Sequence, residues 1–137
     1  AYFAALTAFR AGDPSPIVDR FAQASFAAIG NGRQLAADLM AIHSRWSASI
    51  KARRTAAIWS VLPMLLSQPA VTSTLVQEAT GLSQPAADRV IATLRDAGIL
   101  TQAVGRQRYV VWVANDVTEA LDDFAERAGR RGGRRVR

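Results

Sequence analysis

The order of structural punctuation between residues 56 and 113 constrains this chain more than any other feature. Ala56 to Leu66 reads as a buried helix, with a kink expected at Pro63 because that ring removes a donor and crowds the preceding turn. After Gln68-Pro69 and Val71-Thr72, Ser73 is expected to cap a short helix through Ala79, and Thr80-Gly81-Leu82 makes a tight turn. Ser83 then caps a longer helix from Gln84 to Ala97, with Pro85 in its first turn and Gly98-Ile99 closing it as a Schellman end. Ile99 to Val104 and Gln107 to Val113 are rich in β-branched and aromatic residues around Gly105-Arg106, a two-residue loop with glycine where a type II′ turn wants it, so a β-hairpin is expected. Asn115 or Asp116 caps a last helix, with Val117, Leu121 and Phe124 on one face and Asp122, Asp123 and Glu126 outside.

Helix, short helix, turn, longer helix and hairpin together are the layout of a winged helix-turn-helix. The expected fold is mainly α: a helical segment followed by a winged helix-turn-helix with one β-hairpin wing. Ahead of it, three helices are expected: Tyr2 to Arg10, closed by Gly12-Asp13-Pro14; Ile17 to Ile29, closed by Gly30-Asn31-Gly32; and Arg33 to about Lys51. Ser15 caps the second, with Pro16 in its first turn. Phe21, Ser25, Ala28 and Ile29, then Leu35, Leu39, Ile42 and Trp46, recur at helical spacing and give these helices an apolar face. The division expected is 1–52 as a helical packing region, 53–128 as the winged helix-turn-helix, and 129–137 as a basic tail.

Half of the 137 residues are hydrophobic and a fifth charged, which is too apolar for a disordered chain. With no cysteine, disulfide scaffolds, thiol catalysis and cysteine-ligated zinc are excluded. The longest apolar stretch falls short of the ~20 residues that span a bilayer, and no secretory signal is readable, so the chain reads as a piece of a longer cytoplasmic protein. Catalytic constellations are nearly absent. The single histidine, His43, has no carboxylate at four-residue spacing, and no serine sits in a Gly-x-Ser-x-Gly motif, so no catalytic residue, metal site or cofactor is expected. Trp46, Trp59 and Trp112 fall on the apolar sides of their elements and read as core.

Nucleic acid is the partner that the layout suggests. In the longer helix Ala86, Val90, Ile91, Leu94 and Ala97 form the expected buried stripe. That leaves Ser83, Gln84, Asp88, Arg89 and Thr93 to face a DNA major groove. Arg106, Gln107 and Arg108 sit at the hairpin tip, where a wing meets backbone or minor groove. The net charge of +6 lies wholly in residues 127–137, which hold six arginines and no acid. Arg130, Arg131, Arg134 and Arg135 are the expected phosphate contacts, although the same run is also what a solvated chain end looks like. Two arginines against three acids over residues 55–104 is a poor electrostatic footprint. Asp88 and Asp96 repel phosphate unless the first reads cytosine or pairs with Arg89. The competing reading is an interaction module whose helix-turn-helix face is buried in a homodimer or against another domain.

Several short motifs carry a family resemblance. Tyr2-Phe3-Ala4-Ala5-Leu6, Phe9-Arg10-Ala11-Gly12-Asp13-Pro14, Pro16-Ile17-Val18 and Asn31-Gly32-Arg33-Gln34-Leu35 resemble the region just after the catalytic core of Fic (filamentation induced by cyclic AMP) proteins. Leu65-Leu66, Gln68-Pro69-Ala70-Val71, Gly81-Leu82-Ser83 and Ala97-Gly98-Ile99-Leu100 resemble the winged helix that many of them carry at the C-terminus. The resemblance implies a bacterial protein whose catalytic Fic domain, an AMP transferase, lies elsewhere in the full-length chain and is a partner of this piece. Gly30-Asn31-Gly32 matches the centre of that family's catalytic loop, but the histidine position falls on Ser25 and the acidic metal-binding position on Ile29. The triplet therefore reads as an interhelical turn, and the chain is expected to transfer no AMP. Incubation with labelled ATP and magnesium should leave the protein unlabelled; labelling that disappeared on changing Asn31 or Arg33 would contradict this.

Overall fold

The computed structural model describes residues 2–53, 56–103 and 110–132, and side chains as far as residue 129. The described residues form six helices and a small antiparallel sheet: α1 (Tyr2–Arg10), α2 (Ser15–Ser49), α3 (Ile58–Ser67), β1 (Ala70–Val71), α4 (Ser73–Thr80), α5 (Gln84–Asp96), β2 (Thr101–Gln102), β3 (Trp112–Val113) and α6 (Asn115–Gly132). Two compact units arise, one from 1–36 with 124–137 and one from 37–123, and α2 and α6 contribute residues to both. No helix among the described residues is long and apolar enough to cross a membrane.

In the 37–123 unit the core is aliphatic. Ile42, Trp46 and Ile50 from α2, and Ile58, Val61, Leu62 and Leu65 from α3, are buried. So are Val76 of α4, Ala87, Ile91 and Leu94 of α5, and Ile99 and Leu100 beyond it. Each leucine fully withdrawn from water contributes about 1.5–3 kcal/mol, so this cluster is the main stabilising term of the unit. The sheet runs β1-β3-β2, with Ala70 opposite Val113, Val71 opposite Trp112, Thr101 opposite Val113 and Gln102 opposite Trp112. Among the described residues the two strands expected to form the hairpin pair antiparallel, the Ala103 amide also donating to the Val111 carbonyl at 2.9 Å, while the expected Gly105-Arg106 turn lies outside the described residues. Ile99 and Leu100 instead end α5, both donating their amides to the Leu94 carbonyl, at 2.9 and 3.2 Å, while Gly98 adopts φ +75°. That is the expected Schellman closure. The start of α6 is stitched to the sheet, with the Ala114 amide donating to the Pro69 carbonyl at 2.8 Å and Asn115 Nδ2 to Thr101 Oγ1 at 2.9 Å. It is also bonded to α2, where Trp46 Nε1 donates to Asp116 Oδ2 at 2.9 Å.

In the other unit α1 ends at Gly12, φ +95°, where the Asp13 amide donates to the Ala8 carbonyl at 2.9 Å. Asn31 is the one buried polar residue of α2: its amide donates to the Phe124 carbonyl at 3.1 Å and its oxygen accepts from Arg127 Nε at 2.6 Å. Bonding of this kind offsets the cost of burying the amide.

Several expectations are corrected. The break at Gly30-Asn31-Gly32 is absent: α2 is continuous from Ser15 to Ser49. Glycine in a helix interior costs only about 1 kcal/mol relative to alanine, so two of them do not end a helix that tertiary contacts hold. Among the described glycines, positive φ is confined to Gly12, Gly81 and Gly98. Phe21, Ala28 and Ile29 are exposed, whereas Leu35, Leu39, Ile42 and Trp46 are half-buried to buried as expected. Ser15 is already helical, and the Asp13 carboxylate accepts its amide at 3.0 Å. Thr72, not Ser73, caps α4, its hydroxyl oxygen accepting from the Leu75 amide at 3.2 Å. Of the stripe expected in α5, Ile91 and Leu94 are buried, Ala86 and Val90 are only half-buried and Ala97 is exposed, while Ala87 is buried instead; in α6 Ala120 rather than the exposed Leu121 is buried.

A Cβ added at Gly30 or Gly32 meets no atom within 4 Å. Gly30→Ala and Gly32→Ala should therefore each raise stability in chemical denaturation by about 0.5–1 kcal/mol. Gly81→Ala, at φ +70°, should lower it by about 1–2 kcal/mol. Destabilisation by both α2 substitutions would contradict the continuous helix.

Candidate nucleic-acid interface

The α4–α5 connection is three residues, Gly81-Leu82-Ser83, and its geometry follows from the left-handed Gly81. Gly81 donates its amide to the Gln77 carbonyl at 2.8 Å, ending α4, and Ser83 in extended conformation starts α5 with Pro85 in the first turn. The Ser83 hydroxyl makes no capping bond. Burial of Ala87, Ile91 and Leu94 orients α5, so the opposite side of the helix is left to solvent. Ser83, Gln84, Asp88, Arg89 and Thr93 are all exposed there.

Successive residues on a helix are separated by about 100°, which splits this exposed side into two flanks. Gln84, Asp88 and Arg95 share one flank; Arg89 and Thr93 share the other. Asp88 and Arg95 line a groove of about 510 Å³ that also has Thr72, Ser73, Ile91 and Trp112 in its wall. Arg89 and Thr93 border a smaller groove, about 270 Å³, lined mainly by apolar side chains including Ile58, Leu82 and Val90. The hydroxyl of Thr93 donates back to the Arg89 carbonyl at 2.9 Å, so Thr93 offers a methyl group and acceptor lone pairs outward, not a free donor.

Charge on this face is partly spoken for. Arg95 pairs with Asp96, its immediate neighbour, at 2.9 Å, and both side chains are more than half exposed, so the pair contributes little stability. Asp88 does not pair with Arg89: its Oδ1 accepts the Ser73 hydroxyl at 2.5 Å across the α4–α5 junction. Arg106, Gln107, Arg108, Arg134 and Arg135 lie outside the described residues. Arg130 and Arg131 belong to α6 by their backbone. Arg127, also counted with the basic run, is half-buried and bonded to Asn31.

Gly30-Asn31-Gly32 forms no phosphate cradle, because in a helix interior the backbone amides are engaged by the carbonyls four residues back. His43 is half-buried in α2, and among the described residues no group of three His, Cys, Asp or Glu side chains is placed to hold a metal ion. Trp46 is buried, while Trp59 and Trp112 are only half so. Sequence reasoning missed the Ser73–Asp88 bond and β1. The first joins side chains fifteen residues apart, and the second is two residues long, too short to show a period. No protein-family model matches the chain, and no curated protein matches it.

Proposed function

We propose that residues 53–128 are a winged helix-turn-helix that binds double-stranded DNA, with α5 in the major groove. The observation that carries the reading is the sheet order β1-β3-β2 threaded through the succession α3, β1, α4, α5, β2, β3. That succession, with α4 packed on α5 and the three strands paired in an antiparallel sheet, is the element order of a winged helix-turn-helix. Exposure of Ser83, Gln84, Asp88, Arg89 and Thr93 on one side of α5 adds to it. Gln84 and Arg89 present donors suited to base edges, while Arg106, Gln107 and Arg108 of the wing and Arg130, Arg131, Arg134 and Arg135 of the tail supply phosphate contacts. On the motif resemblance, the chain is the cytoplasmic C-terminal regulatory portion of a bacterial Fic-family protein and does not itself transfer AMP.

A second reading has its own observation. Phe3 and Phe9 of α1 and Val18, Phe21, Phe26 and Ile29 of α2 are all at least half exposed, an apolar surface more typical of an interface than of a free monomer. Under that reading the chain is an interaction module for the Fic catalytic domain or a second copy.

Salt-titrated binding to duplex DNA separates the two. Truncation after Ala128 removes five arginines and should flatten the log–log salt slope by up to about 4.5 units, weakening every sequence alike. Arg89→Ala should relax preference at one base position, at about 1–3 kcal/mol. Absence of DNA affinity at low salt, together with a stable dimer in sedimentation, would favour the interaction module.

A further inference from the structure

We propose that Asp88 is a specificity-determining residue that demands a cytosine in the DNA site, with Ser73 as the positioning residue that holds its carboxylate. The inference rests on the DNA reading above and deepens it. Asp88 lies in the N-terminal half of α5, the part of a recognition helix that meets base edges, and its side chain is exposed.

Its surroundings fix what it can accept. Ser73 Oγ donates to Oδ1 at 2.5 Å, tying the carboxylate to the first residue of α4. Gln77 Nε2 in turn reaches the Ser73 carbonyl at 3.3 Å and its hydroxyl at 3.4 Å, which restrains Ser73 from behind. No cation among the described residues lies within ion-pair distance of Asp88, and Arg95, on the same flank, pairs with Asp96. Among the described residues, therefore, no cation compensates the carboxylate and no hydrogen bond occupies Oδ2.

An uncompensated anion brought to DNA is repelled by phosphate and gains only where it meets a donor. The major-groove edges offer two such donors, the cytosine N4 amino group and the adenine N6 amino group. Adenine places its N7 acceptor beside N6, which suits an amide that both accepts and donates but repels a carboxylate. Cytosine N4 has no acceptor of its own base beside it in the groove, so a carboxylate that only accepts selects cytosine. The cost of the charge elsewhere becomes discrimination: sequences without the amino group at that position suffer the repulsion with nothing to offset it.

The test is enrichment from a random duplex library by the full chain, by Asp88→Asn and by Ser73→Ala, with each variant's melting temperature measured alongside. The wild-type chain should enrich a motif in which one position prefers cytosine by about five- to tenfold. Asp88→Asn should lose that preference, moving toward adenine, with the other positions unchanged and binding to nonspecific duplex strengthened. Ser73→Ala should blunt the same position only, by about two- to threefold. If Asp88→Asn keeps the wild-type cytosine preference while the motif is otherwise intact, the proposal is overturned and DNA binding stands. If the wild-type chain retains no duplex at low salt, the DNA reading falls and this proposal with it. A variant that melts early yet keeps the cytosine preference assigns Asp88 a structural role and also overturns the proposal.

Discussion

The central strand of the sheet, β3, is the constraint on which the rest of the 37–123 unit depends. Trp112 and Val113 pair on one side with Ala70 and Val71 and on the other with Thr101 and Gln102, so a single two-residue segment joins pieces of chain some thirty residues apart. Strands this short are marginal by themselves. They persist because Val71, Leu100 and Ala114, in or beside the strands, are buried, and because the Ala114 amide is satisfied by the Pro69 carbonyl. Once β1 is fixed, α4 must begin two residues later, and Thr72 caps it there.

Orientation of α5 follows from that placement. Its inward residues Ala87, Ile91 and Leu94 join a core with Leu62, Leu65 and Val76, and an amphipathic helix with one face so committed has one face left. The chemistry of the proposed interface is the chemistry of that remainder: one flank with an anion held by Ser73, the other with Arg89 and an apolar groove. Attraction to a polyanion must then come mostly from outside the helix. The basic C-terminal run would supply that attraction, even though phosphate contacts carry no sequence information of their own.

Much of this was legible from local rules. Helix ends written in glycine at Gly12, Gly81 and Gly98 were readable because each needs a backbone conformation that other residues rarely adopt. In α5 the helical period marks Ile91 and Leu94 as buried but misses Ala87, and β-branched content marks the segments that pair antiparallel as β2 and β3. What failed were inferences from the same signals where tertiary context decides. Gly30 and Gly32 look like a helix end, but Asn31 between them is buried and bonded to the Phe124 carbonyl and to Arg127, and the helix runs on. Ser73 looks like a cap, yet Thr72 takes that role and leaves the Ser73 hydroxyl to find Asp88. Phe21 and Ile29 look like core, and α2 presents them to solvent. Periodicity marks an apolar face without saying whether this chain or another covers it.

The central claim is that the exposed side of α5 is the surface that meets DNA. Amide-resolved NMR titration of the full chain with duplex DNA at low salt tests it most directly. The largest perturbations should fall on residues 83–95 and on the α4 start at Ser73, with smaller ones along the basic end of α6. Perturbations confined to that basic end, with the amides of α5 unchanged at saturation, would contradict it.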